Sequence, residues 1–430
     1  MYELTRSLAR FAWTTSVAGA EQLLRPGRVA PALEAATWAS WGELEEMLQL
    51  AYLAGCDLQD DGLELAADVL RPWHWRRAAE RLARRSLDAA RFVDPSAGGT
   101  LARREWRNKF DVFWRVKGVR RDLGHPPPPA RFDLAEYVER AYGLGAFPAL
   151  WAIEGLGHDY AATLLDELDA GGLPAGILTD PALAGLPASS APMLHGGLGL
   201  ALAERLLRPL TPRSSAAEFR GALRRFVELC RAHSRPAHLI SALESFGLEA
   251  RCFFAQLVPG LERELEAAAG EAGEGRLAAI FWHGVGRALY FIPVQFVPGW
   301  GTVGNAVAMA QREAPHELAR HNALAGLAYA FGMVNMSQPR ILEALLRDRG
   351  ETLRGTAWSD GLAAAVQVRG RITPGAPVLA GFLDHRPRPD VEALWDEMVR
   401  RPGRRALAGA LQASTGDLLY AVLEPAGEAA

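Results

Sequence analysis

One glutamate, three histidines and one arginine stand in glycine-rich apolar stretches, where polar side chains are unusual. Glu154 and His158 are four residues apart, so a helix would place them on one face. His195 begins His-Gly-Gly-Leu-Gly, and His283 lies four residues before Arg287. Facing helices that carry acids and histidines can bind metal, but such sites use more carboxylates and Glu-x-x-His pairs, which these stretches lack. We therefore predict no metal and interpret the five side chains as polar contacts of a bound small molecule.

Arg287 is the most specific of these candidates. A charged side chain in an apolar helix must pair or extend its end to solvent, so Arg287 is predicted to anchor a carboxylate or an acidic partner. No Ser-His-Asp order, Gly-x-Ser-x-Gly motif or cysteine beside a base is recognisable. The sequence therefore identifies neither a catalytic residue nor a cofactor.

Glycine recurs at fixed spacing in the same stretches. Gly155 and Gly197 each begin the pattern Gly, Gly two residues on, and Ala six residues on, and Gly284 begins a further glycine pair. Each glycine inside a helix costs roughly 1 kcal/mol relative to alanine, so its repetition indicates that a helix or a flat ligand approaches the backbone closely. We predict that these glycines line a ligand groove where their helices cross.

The elements that carry these residues are predicted to be helices, with few or no strands. The main β-like run, residues 290–297, contains a proline and is followed by another. The motif Gly299-Trp-Gly-Thr-Val-Gly304 lacks the alternating strands and helices of a dinucleotide site, so we interpret it as a loop entering a helix. The proline run at 126–129 divides the prediction into a basic, Trp-containing helical region, 1–125, and a helical domain, 126–430.

Composition limits the protein's location and partners. The 430 residues carry a net charge of −3 and three cysteines, which favours a reducing compartment and gives no general attraction to nucleic acid. No secretory signal is evident, so a cytoplasmic location is expected. Residues 278–310 are apolar but interrupted by prolines and glycines, and we predict two buried helices there rather than a membrane span. The 71–121 segment holds 15 Arg or Lys against 5 Asp or Glu, an excess of 10. That basic region is a candidate contact for an acidic protein.

Five phrases follow one another in a fixed order. They are Glu154-Gly-Leu-Gly, His195-Gly-Gly-Leu-Gly-Leu-Ala-Leu-Ala, Gly284-Val-Gly-Arg-Ala-Leu-Tyr-Phe, Ala325-Gly-Leu-Ala-Tyr-Ala-Phe-Gly, and Trp358-Ser-Asp-Gly-Leu-Ala-Ala-Ala-Val-Gln-Val-Arg369. This succession, over about residues 140–385, resembles the family of accessory proteins of unknown function found in enediyne polyketide and related bacterial gene clusters. The fourth phrase lacks the family's first glycine, and Trp358-Ser-Asp replaces its Ala-Gln. The resemblance implies an accessory role in polyketide biosynthesis and supplies no catalytic residues.

The leading hypothesis is an accessory protein that holds an extended apolar intermediate, such as a polyketide, between the glycine-rich helices. The predicted contacts are Glu154, Gly155, His158, His195, Gly197, His283, Gly284 and Arg287. One alternative is a metal- or haem-assisted oxidative tailoring enzyme that uses the same histidines. Another is a structural partner protein that docks through the basic region.

Overall fold

Most of the described residues are helical, and the described residues contain no strand. A computed structural model describes residues 79–80, 83, 86, 97–125, 132–169, 176–268, 275–296 and 302–410. The predicted all-α class is confirmed. Most of the basic region before residue 97, and Gly299 to Gly301 of the glycine motif, lie outside the described residues.

Sixteen α-helices cover the described part of the chain. They are α1 (Ala97–Lys117), α2 (Val119–Leu123), α3 (Leu134–Gly143), α4 (Ala146–Asp169), α5 (Ala191–Leu207), α6 (Ala216–His233), α7 (Leu239–Phe253), α8 (Val258–Ala268), α9 (Gly275–Phe291), α10 (Val303–Glu313), α11 (Glu317–Asn335), α12 (Pro339–Leu353), α13 (Trp358–Ile372), α14 (Pro377–Leu383), α15 (Glu392–Trp395) and α16 (Arg401–Ala410). Short 3-10 turns and one π-helical turn, Asp396–Arg400, complete the described structure.

The chain forms two compact units. The first comprises residues 1–106 and 292–302, and the second comprises residues 107–291 and 303–430. Within the first unit, the Trp106 indole N–H donates a hydrogen bond of 2.9 Å to the carbonyl of Phe296. The candidate site lies entirely in the second unit. The division of the chain predicted near residue 125 stays a prediction.

Six helices of the second unit form an inner row, and four helices pack on the outside of it. The inner helices are α4, α5, α7, α9, α11 and α13, and the outer helices α6, α8, α10 and α12 follow α5, α7, α9 and α11 along the chain. Inner helices such as α5 and α11 are buried on nearly every side, as their continuous apolar sequences require. The outer helices are amphipathic. At the start of α6, Ser215 and Glu218 form a capping box.

Glycine lets successive inner helices touch backbone to backbone. A Cβ atom added at the following glycines would lie 2.1–2.4 Å from a carbonyl oxygen of an adjacent inner helix, preceding or following: Gly157 (Leu194), Gly199 (Ala242), Gly284 (Glu244), Gly286 (Ala323) and Gly361 (Ala325). That separation is far inside van der Waals contact, so even alanine would force the helices apart. The repeated glycines therefore set the spacing of the whole row.

The row curves, so that its first and last helices meet. The guanidinium Cζ of Arg369 on α13 lies 5.5 Å from the ring centroid of Phe147 on α4. Side chains from all six inner helices also line one cleft, described below. The curvature thus gives the row an inner side on which polar residues from distant parts of the chain are brought together.

One described helix, Arg276–Phe296, is long and apolar enough to cross a membrane, and 89% of its apolar window is buried inside the fold. It consists of α9 and the short 3-10 turn that follows. The next helix, α10, begins at Val303. The 278–310 stretch therefore forms two helices, as predicted.

Both lysines of the chain lie on α1 and turn towards the inner row. Lys109 is fully buried, and its Nζ lies 4.7 Å from the ring centroid of Tyr290. The Nζ of Lys117 lies 4.8 Å from the ring centroid of Phe253. These cation–π contacts hold the second half of α1 against α9 and α7.

Candidate functional site

A small cleft on the inner side of the row collects the most polar part of the interior. We call it the Glu154 cleft; the empty space in it and in front of it, open solvent included, is about 350 Å³. Its walls combine two carboxylates and a guanidinium with a phenol, a hydroxyl and apolar groups: Glu154, Pro192, Met193, Gly196, Ser241, Glu244, Arg287, Tyr329 and Val368. A few convergent polar groups in an otherwise apolar wall are typical of small-molecule sites.

Arg287 is the centre of a buried charge network. Its Nη1 donates to Glu244 Oε2 at 2.8 Å, and its Nη2 donates to Glu154 Oε1 at 3.4 Å. The other oxygen of Glu244 lies 2.5 Å from His283 Nδ1. The guanidinium Cζ also lies 5.4 Å from the ring centroid of Tyr329. The network joins α4, α7, α9 and α11, so one arginine ties four inner helices together.

The two carboxyl groups of the network have different proton affinities. Burial raises the pKa of Glu154 above its ordinary value, which Arg287 only partly counteracts. Burial also favours the neutral form of Glu244, but the charges of Arg287 and His283 outweigh it and lower the pKa of Glu244 to about 2. Glu244 is therefore the ionised partner of Arg287, while Glu154 takes up a proton more readily than an ordinary glutamate.

His158, a predicted ligand contact, lies in a second polar cluster outside the cleft. Its Nε2 is 3.2 Å from Glu204 Oε2, and its Nδ1 is 3.8 Å from Asp159 Oδ1. Burial opposes a charge on the ring, but hydrogen bonds to Asp159 and Glu204 raise the pKa of His158 to about 9. His158 is thus an ion-pair partner that joins α4 to α5, and it does not line the Glu154 cleft.

His195 has a structural role that the sequence did not reveal. Its Nδ1 donates to the carbonyl of Ala191 at 2.7 Å, and its Nε2 accepts the backbone N–H of Arg235 at 3.0 Å. Both ring nitrogens are used, and burial lowers the pKa of His195 to about 3. The neutral ring fixes the chain before α7 against α5. A metal or haem site built from the predicted polar side chains would require them to converge. They do not converge on one point: Glu154, His158, His195 and His283.

The predicted close approach to the backbone of these glycines is present, but the predicted ligand groove beside them is not. The position of a Cβ atom on Gly197 lies 2.1 Å from the carbonyl oxygen of Glu154, and that on Gly284 lies 2.1 Å from the carbonyl oxygen of Glu244. Gly155 faces α1, where the carbonyl oxygen of Val116 lies 2.4 Å away. Backbone of neighbouring helices fills the groove expected at these crossings. Gly196 is different, because its nearest neighbour is the Glu154 carboxyl at 3.1 Å.

A histidine and two glutamates outside the cleft have the composition of a metal site. His316 Nε2 lies 3.0 Å from Glu262 Oε1 and 3.7 Å from Glu266 Oε1. However, His316 Nδ1 accepts the N–H of Ala319 at 3.2 Å and thereby caps α11. A neutral ring that accepts at Nδ1 carries its proton on Nε2, whereas a metal needs a lone pair there. We interpret the group as a helix cap that donates to Glu262.

Glu244 is the residue that sequence analysis most clearly missed. It lies in α7, which shows none of the five phrases, although Glu244 precedes Gly247 by the same three residues that separate Glu154 from Gly157. In both pairs the glycine abuts the next inner helix and the glutamate reaches the cleft. The repeated Glu-x-x-Gly spacing is the signal that could have identified it. Ser241 and Tyr329 carried no comparable signal.

The chain was also compared with known proteins. No family model, no curated protein and no solved structure matches it.

Proposed function

We propose that the protein binds a small organic molecule at the Glu154 cleft and serves as an accessory protein of bacterial polyketide or enediyne-type biosynthesis. The observation that carries ligand binding is the buried Glu154 carboxyl in a partly apolar cleft that is open to solvent. The biosynthetic role is supported by the order of the five sequence phrases. The two parts of the proposal are tested separately.

The charges of the cleft favour a neutral polar group on the ligand. Glu244 already neutralises Arg287 through a hydrogen bond of 2.8 Å, so Arg287 has little charge left for the carboxylate that the sequence suggested. Burial raises the pKa of Glu154, and in its protonated form the carboxyl donates a hydrogen bond. A hydroxyl or carbonyl oxygen fits this donor, and both groups are common on polyketide chains.

The shape of the cleft limits how much of a ligand enters. The space of about 350 Å³ includes open solvent in front of the mouth, and the enclosed part has room for about one water-sized group, so the cleft itself is smaller than a typical ligand pocket. The glycine crossings beside it are closed by backbone. An extended molecule would therefore insert one polar end between Glu154 and Tyr329 and rest its apolar part on Pro192, Met193 and Val368.

An acid–base enzyme is the second candidate, and the separated pKa values of Glu154 and Glu244 favour it. Two carboxyl groups held in different protonation states are a common catalytic arrangement. The metal- or haem-assisted alternative lacks such support, because the histidines it needs lie in separate places within the described structure. Elemental analysis and an absorption spectrum of the purified protein test that alternative directly. Docking through the basic region stays a prediction.

A methyl group placed in the cleft tests the ligand site. Gly196→Ala adds its Cβ 3.1 Å from the Glu154 carboxyl, a flexible neighbour that can yield. Gly221→Ala on α6 is the matched control, since no atom lies within 4 Å of that Cβ. We expect a polyene alcohol to change the tryptophan fluorescence of the wild type and of Gly221→Ala, and to bind Gly196→Ala at least tenfold more weakly. Equal binding by all three proteins would refute the site.

A map of the neighbouring genes, or co-purification with polyketide-pathway proteins, tests the biosynthetic role. Neighbours without any biosynthetic enzyme would remove that assignment and leave the cleft proposal intact.

A further inference from the structure

Arg369 is a buried cation that no carboxylate neutralises. It lies on α13 and is 3% exposed, and its Nε and Nη1 are buried without a hydrogen-bond partner. No ion pair joins it to an acid within the described residues. Burial alone accounts for the shift that lowers the pKa of Arg369 to about 10, so the guanidinium is charged at neutral pH. An isolated buried charge is costly, and proteins normally pair such groups.

The surroundings of Arg369 supply further donors and apolar surface. Its Cζ lies 5.5 Å from the Phe147 ring centroid, and that ring lies 6.0 Å from the ring of Trp151. The indole N–H of Trp151 is also buried without a hydrogen-bond partner. Phe147 is in the first turn of α4, where the helix dipole disfavours a cation and favours an anion. Arg369 is therefore a positive charge beside an aromatic ring, and no acid of the described part of the chain balances that charge.

We propose that Arg369 binds the carboxylate of an organic acid whose apolar part packs on Phe147. The guanidinium presents planar donors that match a carboxylate, and its single positive charge balances a single negative charge. A phosphate carries up to two negative charges, which a single guanidinium does not balance. This site uses none of the side chains that line the Glu154 cleft, so it does not depend on the function proposed above.

Thermal unfolding of the full chain tests the site, with sodium octanoate, octanol and inorganic phosphate as probes. A ligand that binds only the folded protein raises its Tm. We expect octanoate to raise the Tm of the wild type and octanol and phosphate to leave it unchanged. In Arg369→Met the octanoate effect disappears, while the Tm without ligand stays equal to or above that of the wild type. Arg371→Met is the matched control: two residues along α13, it faces another direction and keeps the octanoate effect.

Each other outcome overturns the assignment. A lower Tm of Arg369→Met together with no octanoate effect on the wild type would make Arg369 a structural residue. An equal shift with phosphate would replace the carboxylate by a general anion. An octanoate effect that Gly196→Ala removes and Arg369→Met preserves would move the acid to the Glu154 cleft, which separates this proposal from the previous one.

Discussion

Arg287 and Arg369 are both buried in the same row of helices and both lie near an aromatic ring, yet only Arg287 is paired with carboxylates. Arg287 meets two carboxylates, one at 2.8 Å and one at 3.4 Å. Arg369 meets an aromatic ring, and its buried Nε and Nη1 make no hydrogen bond. A cation that is already neutralised joins helices, whereas a cation without a counter-charge is suited to a ligand that brings one. Burial alone therefore does not identify an anion site; the pairing of the charge does.

Removing a carboxylate that is paired with Arg287 should have the largest effect on stability. Glu244→Gln leaves Arg287 and His283 buried without their ionised partner, so the free energy of unfolding should fall by about 3–5 kcal/mol. Denaturant titration measures the loss. Glu228→Gln, in an exposed pair with Arg225 at 3.5 Å, is the control and should change stability little. A loss as small as that of the control would show that the network is dispensable.

A second carboxylate, Glu249, extends the comparison to unpaired acids. Burial, only partly counteracted by Lys117, raises the pKa of Glu249 from 4.5 to about 7. The folded state binds the Glu249 proton more tightly than the unfolded state does. The free energy of unfolding is therefore highest below about pH 4.5 and falls as the pH rises through 7. Between pH 5 and pH 8, the wild type should therefore lose up to about 3 kcal/mol relative to Glu249→Gln. Parallel pH-dependent melts that show no divergence would contradict this pKa.

The glycine contacts hold both arginines in place, and they can be tested against an open glycine. Gly197→Ala forces a methyl group within 2.1 Å of the Glu154 carbonyl oxygen and should destabilise the protein by about 1–3 kcal/mol. Gly221→Ala, in open space on α6, should stabilise it by about 0.5–1 kcal/mol. Opposite signs in chemical denaturation support backbone contact as the reason for glycine; equal signs argue against it.

Arg369→Met should give the smallest change in the ligand-free protein. Since no buried partner is left behind, the free energy of unfolding should stay within about 1 kcal/mol of the wild type or increase. Arg287→Met, by contrast, strands Glu244 beside its histidine and should be clearly destabilising. If the two variants lose stability equally, the distinction between a paired and an unpaired arginine fails.

The sequence predicted which segments are helical better than it predicted which side chains contact one another. Apolar periodicity and caps such as Ser215–Glu218 are local signals, and the structure confirms the predicted all-α class. The spacing also singled out Glu154 and Arg287, which do meet. His158 and His195 were misplaced because a polar residue in a buried helix can satisfy itself with any adjacent group. Which group that is depends on helix packing, which one sequence does not specify.

The glycines show the same ambiguity. A missing side chain at Gly197 predicts that something approaches the backbone, and either a helix or a ligand satisfies that prediction. Only the distances decide, and they favour the helix. In the sequence, Arg369 is simply the last residue of the fifth phrase. Whether its charge is paired depends on its neighbours in the fold, which the sequence does not show.

The two inward-facing lysines of α1 have a practical consequence for experiments on this protein. Every other basic side chain in the chain is arginine or histidine, so amine-reactive reagents can modify only Lys109, Lys117 and the N-terminus. Lys109 is completely shielded by the packing of α1. Acylation at Lys109, detected by mass spectrometry of peptides, would therefore report the moments when the second half of α1 separates from the inner row.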